Sequence, residues 1–138
     1  MNIIENSVEY CINLLSIIRK IAIKLNLTPS QLLCIYVIPF DGIAQSDLAK
    51  KLAIDISTLS RNLDKLIILQ MVYKKSSMAD KRSYKISLTP KGEDIYNQFN
   101  LIIKNKLEKQ YGQLDLEDQD HFEEMLNKLN WQLELINK

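Results

Sequence analysis

The sequence predicts a mainly helical protein that carries one small β-hairpin between its helices. Only three glycines occur in 138 residues, so turns should be few and helices long. Apolar residues recur at helical spacing over most of the chain. After Gln70 the period changes, and polar and apolar residues alternate as they do in strands. With 46% apolar and 25% charged residues, the composition is that of an ordinary globular protein of one domain.

The first helix is predicted by two apolar stripes on different faces. One stripe consists of Val8, Cys11, Ile12, Leu15, Ile18, Ala22 and Leu25, and the other of Leu14, Ile17 and Ile21. A helix that is apolar on two sides has to bury both, so we expect one side to pack on its own domain and the other elsewhere. Thr28 and Pro29 then open a second helix as cap and first-turn residue, and this helix ends near Pro39.

Two further short helices follow the turn after Pro39. Ser46 or the residue before it starts a helix that runs through Leu52, and Asp55 precedes another helical pattern. The apolar positions of that pattern, which we expect to face inward, are Ile56, Leu59, Leu63 and Leu66.

A hairpin and two long helices complete the chain. Residues 71–75 and 83–88 alternate in polarity and predict two strands joined by an exposed, mostly polar tip. Thr89 and Pro90 repeat the cap-plus-proline start and open a long helix. Asp115 opens the last helix, whose apolar positions are Phe122, Met125, Leu126, Leu129, Leu133 and Ile136.

The net charge of +1 conceals an uneven distribution along the chain. Residues 47–91 contain ten basic and four acidic side chains, whereas residues 92–138 contain five basic and ten acidic ones. A basic middle segment is typical of a region that binds a polyanion. A solvated basic face without a partner has the same composition, so charge alone does not decide between them.

Two short helices followed by a basic hairpin form a winged helix-turn-helix. A helix of this kind fits the major groove of DNA, where side chains read base edges, and the hairpin reaches toward the minor groove. The predicted outer face of the second helix consists of Ser57, Thr58, Arg61, Asn62 and Lys65, with Ser60 at its edge. Lys74, Lys75 and Lys81 of the hairpin should contact phosphates as point charges. An amphipathic helix with a solvated polar face has the same pattern, and the pattern alone leaves both interpretations open.

The residues from 45 to 92 resemble the MarR (multiple antibiotic resistance regulator) family of bacterial winged-helix regulators. The resemblance rests on four segments, LAKKL at 48–52, DISTLSRNL at 55–63, DKRS at 80–83 and LTPKG at 88–92. Residues 27–31 and 114–118 are similar to the starts of the family's second and last helices. The likeness therefore extends over nearly the whole chain.

The resemblance implies a homodimeric, cytoplasmic transcription regulator that binds pseudo-palindromic double-stranded DNA, with a repressor as the expected activity. It implies one domain over 1–138, with a winged helix-turn-helix at 28–92 between dimerisation helices in 1–27 and 93–138. It also implies that Arg82 enters the minor groove while Asp80 orients it, and that a small aromatic or anionic ligand binds between the dimer helices and the winged region. Two departures are Gln70, where the family usually has a glycine in the turn before the hairpin, and the bulky Tyr84.

Other residues admit different functions. Cys11 lies near the position of a reactive cysteine in peroxide-sensing members of the family, so a thiol-based redox regulator is one alternative. Cys11 also fits the first apolar stripe as a packing residue. A winged helix that binds protein is a second alternative, although its recognition face should be apolar or acidic. His121 and Glu124 could begin a metal site, but carboxylates at a helix start also suit the helix dipole.

The sequence offers no combination of residues that indicates an enzyme, a metal site or a cofactor. The single histidine lies in an acidic run, and neither a nucleophile–base pair nor a glycine-rich phosphate loop is visible. Glu5 and Glu9 stand where a signal peptide carries positive charge, and Pro39 and Asp41 interrupt the most apolar stretch. We therefore expect a cytoplasmic protein without a membrane segment.

Overall fold

The structure of the protein, a computed structural model, describes residues 1–76 and 84–137. In this part of the chain there are six helices and three short strands. In chain order they are α1 (Ile3–Lys24), α2 (Pro29–Val37), β1 (Ile43–Ala44), α3 (Gln45–Leu52), α4 (Ile56–Ile68), β2 (Val72–Ser76), β3 (Tyr84–Leu88), α5 (Pro90–Tyr111) and α6 (Leu116–Ile136). The predicted class, a mainly helical winged helix with a small hairpin, is confirmed. None of the described helices is long and apolar enough to cross a membrane.

Side-chain caps begin five of the described helices. The caps, each of which accepts a hydrogen bond from the backbone N–H three residues on, are Asn2, Thr28, Asp55, Thr89 and Asp115. Such a bond satisfies a donor that the first helical turn leaves free. The helix starts predicted at Thr28 and Thr89 are confirmed. Helix α1 begins at Ile3 rather than near Val8, because Asn2 and Glu5 form a reciprocal capping box.

The core lies where α1, α2, α3, α4 and the sheet meet. Its fully buried side chains include Ile21, Leu32, Ile35, Leu48, Leu59, Leu63, Leu66 and Ile86. Three of the four apolar positions predicted to face inward from α4 are among them. The prediction for Ile56 was wrong, since its side chain is 62% exposed. Ile56 is the first residue of α4 and precedes the turns whose leucines are buried in the core.

The two-sided apolar pattern of α1 divides along the helix rather than around it. Near the C-terminal end, Ile21 and Ala22 are buried against the core. In the N-terminal half, Val8, Ile12 and Leu15 remain exposed. The first half of α1 therefore presents apolar surface that this chain does not cover.

The three strands form an antiparallel sheet in the order β1-β3-β2. The predicted hairpin corresponds to β2 and β3, with Val72 opposite Leu88 and Ser76 opposite Tyr84. Strand β1 was not predicted, because a strand of two residues is too short to show an alternation. A turn closed by the Gly42 N–H on the Pro39 carbonyl, at 2.9 Å, brings β1 to the edge of β3.

The turn from α4 into β2 is tight although Gln70 occupies a glycine-like position. The φ of Gln70 is +61°, in the left-handed region that non-glycine residues rarely adopt. The Gln70 N–H donates to the Ile67 carbonyl and the Met71 N–H to the Leu66 carbonyl, each at 2.9 Å. These two hydrogen bonds form the pattern of a Schellman cap. The departure at Gln70 therefore leaves the turn tight.

The start of α5 is held directly against that turn. The Thr89 hydroxyl donates to the Gln70 carbonyl at 2.6 Å, and the Thr89 N–H donates to the Met71 carbonyl at 3.0 Å. Gly92 allows this approach, because a Cβ atom there would lie 2.0 Å from the Met71 carbonyl oxygen. The hairpin is therefore fastened at its base to both α4 and α5.

Helix α6 contacts the rest of the chain mainly through aromatic side chains. The hydroxyls of Tyr10 and Tyr111 lie 2.5 Å apart, and the Phe122 ring packs on both rings with centroid distances of 6.0 and 5.6 Å. Burial, together with the Tyr111 hydroxyl, raises the pKa of Tyr10 above its usual value. No described residue of α6 is fully buried.

Candidate nucleic-acid interface

The outward face of α4 is centred on Arg61. Successive residues of a helix are about 100° apart, which places Ser57 and Lys65, one turn before and after, close to the same direction. All three are exposed, whereas Leu59, Leu63 and Leu66 on the opposite side are buried. The core thus orients α4 so that one cation stands in the middle of its open face and a second lies one turn further on.

The first turn of α4 is organised by Asp55. One carboxylate oxygen, Oδ1, accepts the Thr58 N–H at 2.7 Å and the Ser57 hydroxyl at 2.6 Å. The hydrogen bond from Ser57, followed by those from Thr58, lowers the pKa of Asp55 to about 2. The Arg61 guanidinium lies 3.4 Å from the Thr58 hydroxyl oxygen, to which it donates. The hydroxyls of Ser57 and Thr58 are therefore oriented by their own helix.

Ser60 and Asn62 lie on the two flanks of α4 instead of its open face. Ser60 Oγ accepts a hydrogen bond from Gln45 Nε2 of α3 at 3.0 Å. Asn62 Nδ2 donates to Ser30 Oγ of α2 at 2.7 Å. Both flanking side chains are half-buried, so this placement differs from the outer-face position expected for Asn62.

The hairpin presents its two described β2 lysines on opposite faces of the sheet. Lys74 faces the core side, opposite the buried Ile86. Its ammonium lies 4.0 Å from an Asp64 carboxylate oxygen and 5.6 Å from the centre of the Tyr84 ring. Lys74 therefore connects α4 to the hairpin. This arrangement does not leave its charge free in the way expected from the sequence.

Lys75 is exposed and stands directly opposite Lys85 on β3. Like charges that face each other across two strands repel, so this pair favours a bound anion. The stem of Lys85 lies over Gly42, where a Cβ atom would be only 2.7 Å from its Cε. Lys85 was not among the predicted contact residues, although its alternation with the apolar Ile86 and Leu88 indicates an outward-facing position on the hairpin.

Three of the predicted contact residues, Asp80, Lys81 and Arg82, lie outside the residues that the structure describes. Their proposed roles at the tip of the hairpin therefore stay predictions.

The two cysteines have different environments. Cys11 is exposed on α1, and Cys34 is buried in α2. Burial raises the pKa of the Cys34 thiol to about 11, which opposes formation of the reactive thiolate. His121 is exposed on α6, and the described residues contain no group of three side chains that could hold a metal ion.

Comparison with protein families identifies the central part of the chain. Residues 27–84 match the model of the MarR family, a range that includes α2, β1, α3, α4, β2 and the first residue of β3. The resemblance stated from the sequence is confirmed, and these residues form a MarR-type winged-helix unit. No curated protein matches the chain in sequence.

Solved structures match almost the whole chain. The MarR protein from Peptoclostridium difficile is 24% identical and aligns over 99% of this chain and 90% of its own, with a TM-score of 0.81. The Streptococcus pneumoniae FabT structure, in complex with DNA, is 22% identical over 97% of this chain and 96% of its own, at a TM-score of 0.78. The S. aureus MepR structure, in complex with DNA, is 21% identical over 96% of this chain and 99% of its own, at a TM-score of 0.75. At these identities the matches establish the fold, including the arrangement of α1, α5 and α6 around the winged helix.

Proposed function

We propose that this protein is a sequence-specific double-stranded DNA-binding transcription regulator. The observation that carries the proposal is the open face of α4, where Arg61 stands between Ser57 and Lys65 while three leucines hold the opposite face in the core. The adjoining hairpin adds the exposed pair Lys75 and Lys85. Two structures of the same fold, those of FabT and MepR, are complexes with DNA, which supports the same use of this surface.

The proposal assigns base reading to Arg61. The guanidinium can donate two parallel hydrogen bonds to a guanine edge in the major groove, a contact worth about 1–3 kcal/mol of discrimination. Selection of bound fragments from random duplex DNA by the purified protein tests this directly. We expect one enriched pseudo-palindromic sequence, and we expect Arg61→Ala to relax the preference at one position in each half-site. Recovery of unselected sequence by the wild-type protein would exclude sequence-specific recognition.

Lysines of the hairpin are proposed to contact phosphates. Lys75, Lys85 and Lys81 each present a compact point charge, so replacement of one should weaken binding to all sequences alike and reduce the salt slope by about one unit. From the MarR resemblance, Arg82 is proposed to enter the minor groove, oriented by Asp80. Arg82→Ala should then weaken sites with A·T-rich flanks more than sites with G·C-rich flanks. Lys81→Ala is the matched control, and equal losses for both variants on every flank would make Arg82 a further phosphate contact.

We propose a homodimer whose winged region, 28–92, is joined to its partner through residues 1–27 and 93–138. The support is the apolar surface of α1 and α6 that the chain leaves uncovered. Its largest members are Ile3, Ile4, Val8, Ile12, Leu116, Met125, Leu129, Trp131, Leu133 and Ile136. Monomeric proteins rarely expose large apolar patches, so we expect a second copy of the chain to cover these side chains. Sedimentation at micromolar concentration tests this, and a monomer under these conditions would refute it.

A dimer of this kind should bind two half-sites about 10 bp apart or at a multiple of one helical turn. We further propose that binding represses transcription by occupying the promoter. Transcription from a promoter that carries the selected sequence should fall as the protein is added, and a rise would indicate an activator.

Regulation by a small anionic or aromatic ligand is the last part of the proposal. A groove of about 610 Å³ between α1 and α5 is lined partly by Ile17 and Ile102 and by the ammonium-bearing Lys106 and Lys109, which suits an anion with an apolar body. Release of DNA by aromatic carboxylates such as benzoate, lost in a Lys106→Ala and Lys109→Ala double variant, is the expected result.

A further inference from the structure

We infer that two inter-helical hydrogen bonds, Gln45 to Ser60 and Asn62 to Ser30, set the rotation of α4 about its own axis and so decide which side chains face the DNA. The inference rests on the proposed function and reassigns two residues within it. Ser60 and Asn62 become positioning residues, whereas Arg61 between them becomes the reader.

The geometry of the helix makes the two bonds a matched pair. Ser60 and Asn62 are each one residue from Arg61, which places one about 100° to either side of it. Ser60 accepts from α3, and Asn62 donates to α2. The bonds therefore hold α4 from opposite flanks, with Arg61 midway on the exposed side between them.

Apolar packing alone does not specify this rotation sharply. Leu59, Leu63 and Leu66 direct one broad side of α4 inward, but hydrophobic contact is non-directional. Hydrogen bonds weaken steeply as their angle departs from linearity. Two hydrogen bonds on opposite flanks restrict a rotation of α4 that the three leucines would tolerate. Such a rotation would change the position of the Arg61 guanidinium relative to the groove.

The burial of the polar partners supports a structural use of their side chains. Ser30, Gln45, Ser60 and Asn62 are all half-buried, whereas Ser57, Arg61 and Lys65 are exposed. Asn62 Nδ2 donates to Ser30 Oγ at 2.7 Å, and this bond directs the amide toward α2, away from the open face that carries Arg61. The observed arrangement therefore favours positioning over base reading.

A double-mutant cycle between Ser30 and Asn62 tests the inference, because Ser30 belongs to α2 and is not a predicted reader. The variants are Ser30→Ala, Asn62→Ala and the double variant, measured for binding to the duplex selected by the wild-type protein. If the bond positions α4, the affinity for the selected duplex falls by a similar factor in both single variants, about two- to tenfold. The affinity of the double variant then falls no further than that of either single variant. If Asn62 reads a base, Asn62→Ala loses roughly five- to 150-fold while Ser30→Ala stays near wild type, and the inference is overturned.

A merely structural role of these residues would not change the DNA sequence preference of the variants, so this preference is the deciding readout. Ser30→Ala and Asn62→Ala should change the preference at several positions of the half-site together, whereas Arg61→Ala changes one. Ser30→Thr keeps the hydroxyl acceptor and should restore the wild-type profile. A Ser30→Ala protein that is less stable but, once folded, selects an unchanged profile would contradict the inference.

A second cycle, measured by urea unfolding without DNA, separates this inference from the proposed function. Coupling between Ser30→Ala and Asn62→Ala is expected, and additive effects mean that the bond does not hold α4 in solution, which overturns the inference. Coupling in a protein that selects no DNA sequence overturns the proposed function, and with it the claim that the two hydrogen bonds decide which side chains face the DNA. The Gln45→Ala and Ser60→Ala pair should behave in the same way on the other flank.

Discussion

Substitution of Gln70 by glycine should stabilise the protein. Gln70 has φ +61°, a conformation that costs a residue with a Cβ about 1–2 kcal/mol. Glycine adopts it freely but loses about 0.5–1 kcal/mol through greater freedom in the unfolded chain. The side chain of Gln70 is exposed, and the bonds of its backbone to Ile67 and Thr89 remain available in the variant. We therefore expect a net gain of about 0.5–1 kcal/mol in the free energy of unfolding.

Urea unfolding followed by far-ultraviolet circular dichroism measures this gain, and a thermal scan should show a rise of about 2–5 °C. Protein concentration has to be equal in all samples, because the stability of the proposed dimer would depend on it. Ala53, at φ +53° after α3, should show a similar gain on replacement by glycine. Asn26, at φ +58°, should change little, since asparagine tolerates this region.

Gln98→Gly is the matched control, because it makes the same change at an exposed position inside α5. There glycine should cost about 0.5–1 kcal/mol. If Gln70→Gly destabilises the protein as much as Gln98→Gly does, the left-handed turn carries no strain, and the reasoning from φ fails.

Three further predictions concern the contact of α5 with the turn after α4, the hairpin, and the cap of α4. Gly92→Ala should destabilise the fold by several kcal/mol, since its Cβ would lie 2.0 Å from the Met71 carbonyl oxygen, and a wild-type unfolding midpoint would contradict this close approach. Lys85→Ala and Lys75→Ala should each raise stability by about 0.2–1 kcal/mol by removing a like-charge pair, yet weaken DNA binding; loss of both quantities together would indicate a structural lysine. The pKa of Asp55 is lowered to about 2, so its contribution is present above the ordinary carboxyl range and is lost as pH falls through that value. Asp55→Asn, which retains a capping oxygen, should therefore decline less between pH 4 and pH 2 in urea unfolding, and parallel curves would argue against the shift.

The helices of this chain could be located from the sequence because their signals are local. A threonine cap followed by proline indicates the helix starts at Thr28 and at Thr89, and the leucines of α4 repeat once per turn. Asn2 and Glu5 carry the same kind of local signal, because their spacing is that of a capping box, which starts α1 at Ile3. Strand β1 gives no such signal, since it exists only because a turn at Gly42 brings two residues to the edge of β3.

The sequence by itself determined the order of the helices and the hairpin, the basic middle segment and the likeness to the MarR family. Only the tertiary structure decided which polar residues of α4 are available. Ser30 is far from Asn62 in the chain, and Gln45 is far from Ser60, so neither hydrogen bond leaves a local pattern. Likewise, Lys74 looks like Lys75 in the sequence, but the pairing of β2 with β3 turns one lysine toward Asp64 and the other toward Lys85. Periodicity reports which side of an element is apolar, whereas the partners of its polar side chains depend on how separate elements pack.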